Sequence, residues 1–391
     1  MNDQRLFIEI DYAQDKKYGE EICGDSFAVK QIQESQRRIA VLSDGLGSGV
    51  KANILSCMTA EMALRFIASE MDVIESIKVI MDVLPVCEVR KISYSTLTIV
   101  DTQLSGETRI IEMGNPSFIH IRKNRIIPTS FKEFTAAGWQ NRTIRITRTK
   151  VEPEDRLIIF SDGVTQAGLG SKNYPMGWRE KGCQNYILKL LEKYPDISAG
   201  NLSEEVIRAA RYCEPDALAH DDMTCAVLYY RQPRKTILLT GPPFHPEQDS
   251  NYAQNLLQFN GKKVICGGTT GNIIARELKL PVTTSIKRLG DLPAPSVIPG
   301  IDLVTEGILT LTKTYQILNE RDTKHEHSAA NDLAQLLRES DVIDFYVGTR
   351  INEAHQDPSL PRELEIRRNI IKKIKTVLEE EYLKEIHLFY I

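Results

Sequence analysis

The hydrophobic pattern splits the chain into two rhythms. From about residue 6 to 165, short apolar or β-branched runs alternate with turn signals: "LFIEIDY", "SFAVKQI", "RRIAVLS", "STLTIVD", "TRIIEMG", "SFIHIRK" and "RLIIFSD". Such runs predict strands, and "LSGE" at 104–107 reads as the hairpin turn between two of them. Apolar residues at three-to-four spacing over about 50–84 predict a helical interruption. A second helical stretch covers about 184–213, where Asn201-Leu202-Ser203-Glu204 places a capping-type residue at a helix start. Strand "MTCAVLYYR" follows at 223.

The rhythm changes after "RQPRK", 231–235, which reads as a linker. Strand "TILLTGPP", a helix over 251–259, strand "KKVICGG" and helix "NIIAREL" alternate. Then come "GIDLVTEGILTLTKTYQIL" as strand or helix, helix "AANDLAQLLRES", strand "DVIDFYVG" and a long helix over 361–385. This alternation predicts an α/β domain with a partly parallel sheet. The expectation is two domains, one over 1–231 and an α/β domain over 235–391. At 391 residues the chain is also too long for one ordinary core.

Composition narrows the function. The chain is 42% hydrophobic and 26% charged, with a net charge of -4 and no basic stripe, which argues against a nucleic-acid binder. No apolar stretch approaches the roughly 18 residues of a membrane span. The N-terminal "MNDQRLFIEIDYAQ" lacks the basic-then-apolar layout of a signal peptide. Seven cysteines are scattered and never form C-x-x-C, so reduced thiols in a cytoplasmic protein are expected.

Acids stand at the ends of the predicted strands. Asp25 precedes one in "CGDSFAVK", and Asp44 ends one in "VLSDGLGSGVKAN". Asp162 ends one in "RLIIFSDGV", and Asp221 and Asp222 precede one in "AHDDMTCAVLYY". In an antiparallel pair the start of one strand lies beside the end of its neighbour, so all of them can share one edge. Carboxylates that close repel and raise one another's pKa unless cations are bound. Oxygen donors without nearby His or Cys suit hard ions, Mg²⁺ or Mn²⁺. Taken singly, each Ser-Asp-Gly is an ordinary turn signal; the set favours a site. Gly45, Gly47 and Gly49 remove side chains where backbone must approach an ion or phosphate. "GLGSGVK" fits neither a P-loop nor a dinucleotide fingerprint, because Lys51 follows Val50.

The pieces "CGDSF", "VLSDGLGSGVKAN", "TLTIVD…SGETRIIEMGNPSFIHIR", "VEPEDRLIIFSDGVTQA" and "HDDMTCAVL" span about 20–230. In that order they resemble the PP2C-type metal-dependent protein serine/threonine phosphatases, in the bacterial stage II sporulation protein E-like branch. The resemblance implies an α+β fold, a PP2C-like β-sandwich flanked by helices, holding two Mn²⁺ or Mg²⁺ ions. It implies that Asp44 bridges the ions, that the Gly45 carbonyl helps bind one, and that Asp162 and Asp221 complete the other. Asp25 would hold a metal's water, and Asp222 would stand behind these ligands. Asp44, Asp162 and Asp221 are then the catalytic set. The implied activity is hydrolysis of phosphoserine or phosphothreonine by water activated between the two metals. The implied substrate is a bacterial regulatory phosphoprotein such as an anti-sigma-factor antagonist. Three positions depart from the pattern. Leu46 stands where many members carry a histidine, Gln166 replaces a commonly acidic residue, and only Lys16 and Lys17 offer positive charge near the N-terminus. Two other readings stay open: a non-catalytic signalling scaffold, and a unit that regulates a small-molecule-binding C-terminal domain.

The second domain, which senses a ligand or docks a partner in this reading, carries fewer signals. Gly267-Gly268-Thr269-Thr270-Gly271 lies between a strand and a helix, where backbone amides and the helix dipole can cradle a small anionic ligand. The plain alternative is a tight connection with Asn272 as the helix cap. Asp302 and Glu306 read as loop acids, Cys266 as a buried inert thiol, and His325 and His327 as a solvated turn. The terminal helix has charges on one face and Ile, Leu and Val on the other, so it packs on the core; a homodimer seam is the other reading.

Overall fold

The computed structural model describes residues 6–32, 35–45, 47–83, 95–135, 143–284, 296–320, 328–350 and 360–391. The chain divides into two compact units, Met1–Gln232 and Pro233–Ile391.

The first unit contains strands β1 (Phe7–Asp15), β2 (Asp25–Ile32), β3 (Arg37–Asp44), β4 (Leu97–Gln103), β5 (Glu107–Met113) and β6 (Ile119–Arg122). Strands β7 (Arg125–Ile126), β8 (Phe131–Thr135), β9 (Thr143–Lys150), β10 (Arg156–Phe160) and β11 (Met223–Arg231) follow. Its helices are α1 (Gly49–Ala68), α2 (Val73–Val83), α3 (Asp162–Gln166), α4 (Arg179–Lys193) and α5 (Ala199–Cys213). The strands form two antiparallel sheets, ordered β1-β11-β10-β6-β7 and β2-β3-β4-β5-β9-β8.

Strand alternation explains why both sheets are covered on both faces. Leu42, Val100, Ile110, Leu157, Ala226 and Leu228 meet in one buried cluster between the sheets. Their neighbours on the opposite faces also find cover. Val41 and Ile99 pack with α1 and α2, and Ile158 and Val227 with α4 and α5. A sheet covered on both faces reads as a continuous apolar run, as these strands do. Strand β9, "TIRITRTK", alternates isoleucine with arginine and threonine, so a search for apolar runs passes over it.

The second unit contains β12 (Lys235–Thr240), β13 (Lys262–Cys266), β14 (Thr283–Thr284), β15 (Ser296–Val297), β16 (Leu303–Thr305), β17 (Val342–Val347) and β18 (Glu385–Tyr390). Its helices are α6 (Asp249–Gln258), α7 (Gly268–Leu278), α8 (Ile308–Asn319), α9 (Ala329–Glu339) and α10 (Leu360–Glu380). The sheet order is β14-β15-β16-β13-β12-β17-β18. Five strands, β16-β13-β12-β17-β18, are parallel, whereas β14 and β15 are antiparallel. Helices α6 and α7 cover one face, and α8, α9 and α10 the other. The stretch expected as strand or helix holds both, β16 and then α8. The final helix stops at Glu380 rather than 385. Leu383 takes a left-handed conformation (φ 53°) that ends it, and the aromatic "HLFY" then pairs as β18 along β17.

Candidate functional site

Two antiparallel pairs carry the acids. Asp25 opens β2 and Asp44 closes β3, directly opposite each other. Strand β10 ends at Phe160, so Asp162 opens the short helix α3 rather than ending a strand. Asp221 and Asp222 lead into β11, the neighbour of β10. Ser161 and Thr224 lock that pair. The Ser161 N–H donates to the Thr224 carbonyl at 3.0 Å, and the Thr224 N–H donates to Ser161 Oγ at 2.9 Å. The Thr224 hydroxyl then donates to Asp25 Oδ2 at 2.6 Å, joining one sheet to the other. Thr224 shares the inward row of Ala226, Leu228 and Tyr230. A lone polar residue in that row was the available signal for it.

The glycines of both Ser-Asp-Gly motifs serve backbone packing. A Cβ on Gly45 would lie 2.1 Å from the Ala52 carbonyl oxygen of α1. A Cβ on Gly163 would lie 2.2 Å from the Asp222 carbonyl oxygen. Their absent side chains let α1 and β11 close onto the acids, a reason that differs from the expected access for an ion. The loop between β1 and β2 closes another side. The Lys17 N–H donates to Asp222 Oδ1 at 3.0 Å, and Asn53 Nδ2 donates to the Cys23 carbonyl at 2.8 Å. Gln166 Nε2 donates to Asp162 Oδ2 at 2.7 Å, giving that replacement a positioning contact.

Electrostatics follow from this crowding. Burial, reinforced by the charges of Asp25 and Asp162, pushes the Asp44 carboxyl up to about 10. Burial, with the charges of Asp222 and Asp162, pushes Asp25 up to about 7 against the hydrogen bonds from Thr224 and Ser161. Asp221 is raised by burial first and by Asp162 next, while the Lys17 charge opposes the shift. Asp25 Oδ1 and Asp222 Oδ2 are buried without a partner among the described residues. Unpaired carboxylate oxygens among crowded acids fit hard cations. Among the described residues, however, no three acid, histidine or cysteine side chains already form a closed metal-binding group. The acids are gathered but not preset around a point.

Leu46, His325 and His327 lie outside the described residues. In the second unit, Gly267 precedes α7 with no side-chain cap, and Thr269 is exposed. The helix starts before Asn272, which is therefore not its cap. Thr270 is buried, and its Oγ1 accepts from the Gly241 N–H at 2.9 Å. That oxygen ties the loop to the exit of β12. No helix among the described residues is long and apolar enough to cross a membrane.

Residues 34–231, about half of the chain, match the family model described as Stage II sporulation protein E (SpoIIE). Two similar curated proteins are both named Stage II sporulation protein E. The one from Priestia megaterium is 26% identical over 222 residues, 56% of this chain and 36% of that protein. The one from Bacillus subtilis (strain 168) is 26% identical over 215 residues, 54% of this chain and 24% of that protein. The aligned part thus spans only about a third or less of those relatives. Among solved structures, the PP2C phosphatase domain with a regulatory fragment of SpoIIE from Bacillus subtilis aligns at TM-score 0.47 and 18% identity, covering 58% of this chain and 62% of that one. The S. agalactiae serine/threonine phosphatase aligns at TM-score 0.41 and 15% identity, covering 57% and 99%.

Proposed function

The chain belongs to the stage II sporulation protein E family, and on that premise we propose that its first unit is a PP2C-type, metal-dependent protein serine/threonine phosphatase. The proposed substrate is phosphoserine or phosphothreonine on a regulatory protein of the anti-sigma-factor-antagonist class. The observation that carries this reading is the pair of unpartnered buried oxygens, Asp25 Oδ1 and Asp222 Oδ2, inside a group of acids that raise one another's pKa. Such a group reaches its charged form when cations neutralise it. Asp25, Asp44, the Gly45 carbonyl, Asp162 and Asp221 would hold two ions, Mg²⁺ or Mn²⁺ by their oxygen donors.

Bound divalent cations supply Lewis-acid polarisation of a phosphoryl group and an acidified water. The chain's own part is positioning. Thr224 holds Asp25 and, through it, one sheet against the other. Gln166 orients Asp162, and the Lys17 backbone orients Asp222. The Cys23 thiol is disfavoured as a nucleophile, since burial and the Asp25 charge keep it protonated. The test is phosphate release by the full chain from an aryl phosphate and a phosphoserine peptide. Mn²⁺ or Mg²⁺ should support release, Zn²⁺ alone should not, and EDTA should abolish it. Full activity after exhaustive EDTA treatment would sink the metal reading. Inactivity with every divalent ion would favour a scaffold.

A further inference from the structure

Counted along the second unit, the five parallel strands lie in the order third, second, first, fourth, fifth. The helices after β12 and β17 therefore leave on opposite faces. Helix α6 joins α7, and α10 joins α8 and α9. The connections from β12 and β17 turn to opposite faces at this switch point, the place where open α/β sheets take ligands. Glycines follow both strands, Gly241 and Gly348, and the exits touch. A Cβ on Gly348 would lie 2.1 Å from the Pro242 carbonyl oxygen.

Backbone groups at this exit are matched. The Gly348 N–H donates to the Thr240 carbonyl at 2.8 Å, and the Tyr252 hydroxyl donates to the Gly241 carbonyl at 3.1 Å. The Thr240 hydroxyl sits at the same place, fully buried, and has no partner among the described residues. Thr240 shares the strand face of Leu238, the side covered by α10. From α10, Arg367 Nη1 comes within 2.7 Å of where a Cβ on Gly241 would stand. One strand over, α7 begins uncapped at Gly268, where a Cβ would meet nothing within 4 Å.

We propose that this edge of the sheet, at the switch point, binds the phosphate group of a small molecule. The Thr240 hydroxyl, the Arg367 guanidinium and the opening amides of α7 would supply the donors. A guanidinium and helix-start amides together suit a multi-oxygen anion. The turn after β12, "TGPPFHPE", lacks G-x-G-x-x-G, so a dinucleotide is not implied. The site extends beyond the glycine-rich loop read from the sequence and leaves Thr270 to a structural role.

The test uses the full chain in EDTA at chloride-matched ionic strength, titrated with inorganic phosphate and with glycerol phosphate. Binding is followed by calorimetry and by melting temperature. Thr240→Val is isosteric and removes an unpaired buried hydroxyl, and Gly268→Val fills open space, so both variants should fold. Each should weaken phosphate binding by about tenfold, the size of one lost charge-assisted hydrogen bond. Asp44→Asn should bind like the unaltered chain, which separates this site from the acids of the first unit. Binding of phosphate alone would support a site for the free ion; binding of both probes would support a phosphomonoester. No binding of either probe, or binding by both valine variants as tight as by the unaltered chain, would overturn the proposal.

Discussion

Asp44 sits where a carboxylate is least at ease without a cation. Burial first, then the charges of Asp25 and Asp162, push it up to about 10, whereas an aspartate in an unfolded chain titrates near ~3.9. The metal-free fold therefore keeps a proton that the unfolded chain releases at neutral pH. This contribution to stability is full below about pH 4 and is lost as pH rises toward 10. Asp25, pushed up to about 7, adds the same sign over a narrower window. In EDTA, the melting temperature of the first unit should fall between about pH 6 and 9. Asp44→Asn should flatten that fall and melt at or above the unaltered protein at the alkaline end. Metal-dependent hydrolysis should drop by more than ~100-fold, beyond the ~10–100-fold typical of losing a partner behind a ligand. A variant that is inactive because it is unfolded would contradict the argument; melting curves and phosphate release from one preparation decide it. The acids were readable because each sits beside a strand end with turn residues around it. Thr224 was not, since its role needs β2 and β11 to face each other across 199 positions of sequence.

The strand-to-helix turns carry a different kind of information. Sequence placed Gly163 in a turn, but only the fold shows that it meets the Asp222 carbonyl oxygen, 2.2 Å from where a Cβ would stand. Gly163→Ala must push α3 away from the start of β11, separating Asp162 from Asp221. We expect a stability loss of about 1–3 kcal/mol, the usual cost of overpacking. Mn²⁺ affinity should weaken by ~10–100-fold. A Cβ on Gly170 would meet nothing within 4 Å although its φ is +79°, so Gly170→Ala should cost backbone strain but leave Mn²⁺ affinity unchanged. Mn²⁺ titrations followed by melting temperature compare the two; equal affinities would remove the steric account. The same gap between pattern and packing explains the missed strands. Apolar runs revealed β3, β10 and β11, which are buried on both faces. Polar alternation hid β9, and a continuing helical pattern hid β18 until Leu383 broke the helix.

The first unit closes on itself by joining its ends. Strand β1 and strand β11 pair from Phe7 opposite Arg231 to Asp15 opposite Met223. Arg231 is held by Glu9 at 2.6 Å, so the last residue of the sheet is anchored by the first strand. The acids, their glycines and Thr224 all fall between these limits. Long-range pairing of this kind had no local signature, which is why motif order, rather than periodicity, pointed to the whole sandwich. It also makes a sharp prediction for truncation. Residues 1–232 should fold alone and retain basal Mn²⁺-dependent hydrolysis of an aryl phosphate, because among the described residues no strand of either sheet comes from beyond Arg231. Ending the chain at Asp222 deletes β11 and exposes the cluster that Ala226, Leu228 and Tyr230 complete. Truncating a single buried Leu or Ile to alanine already costs about 2–5 kcal/mol, against a total stability of about 5–15 kcal/mol. The shorter chain should therefore lose its cooperative melting transition. Circular dichroism melting and phosphate release on both truncations decide the matter. An unfolded 1–232 chain would mean that the first unit depends on the second for its stability.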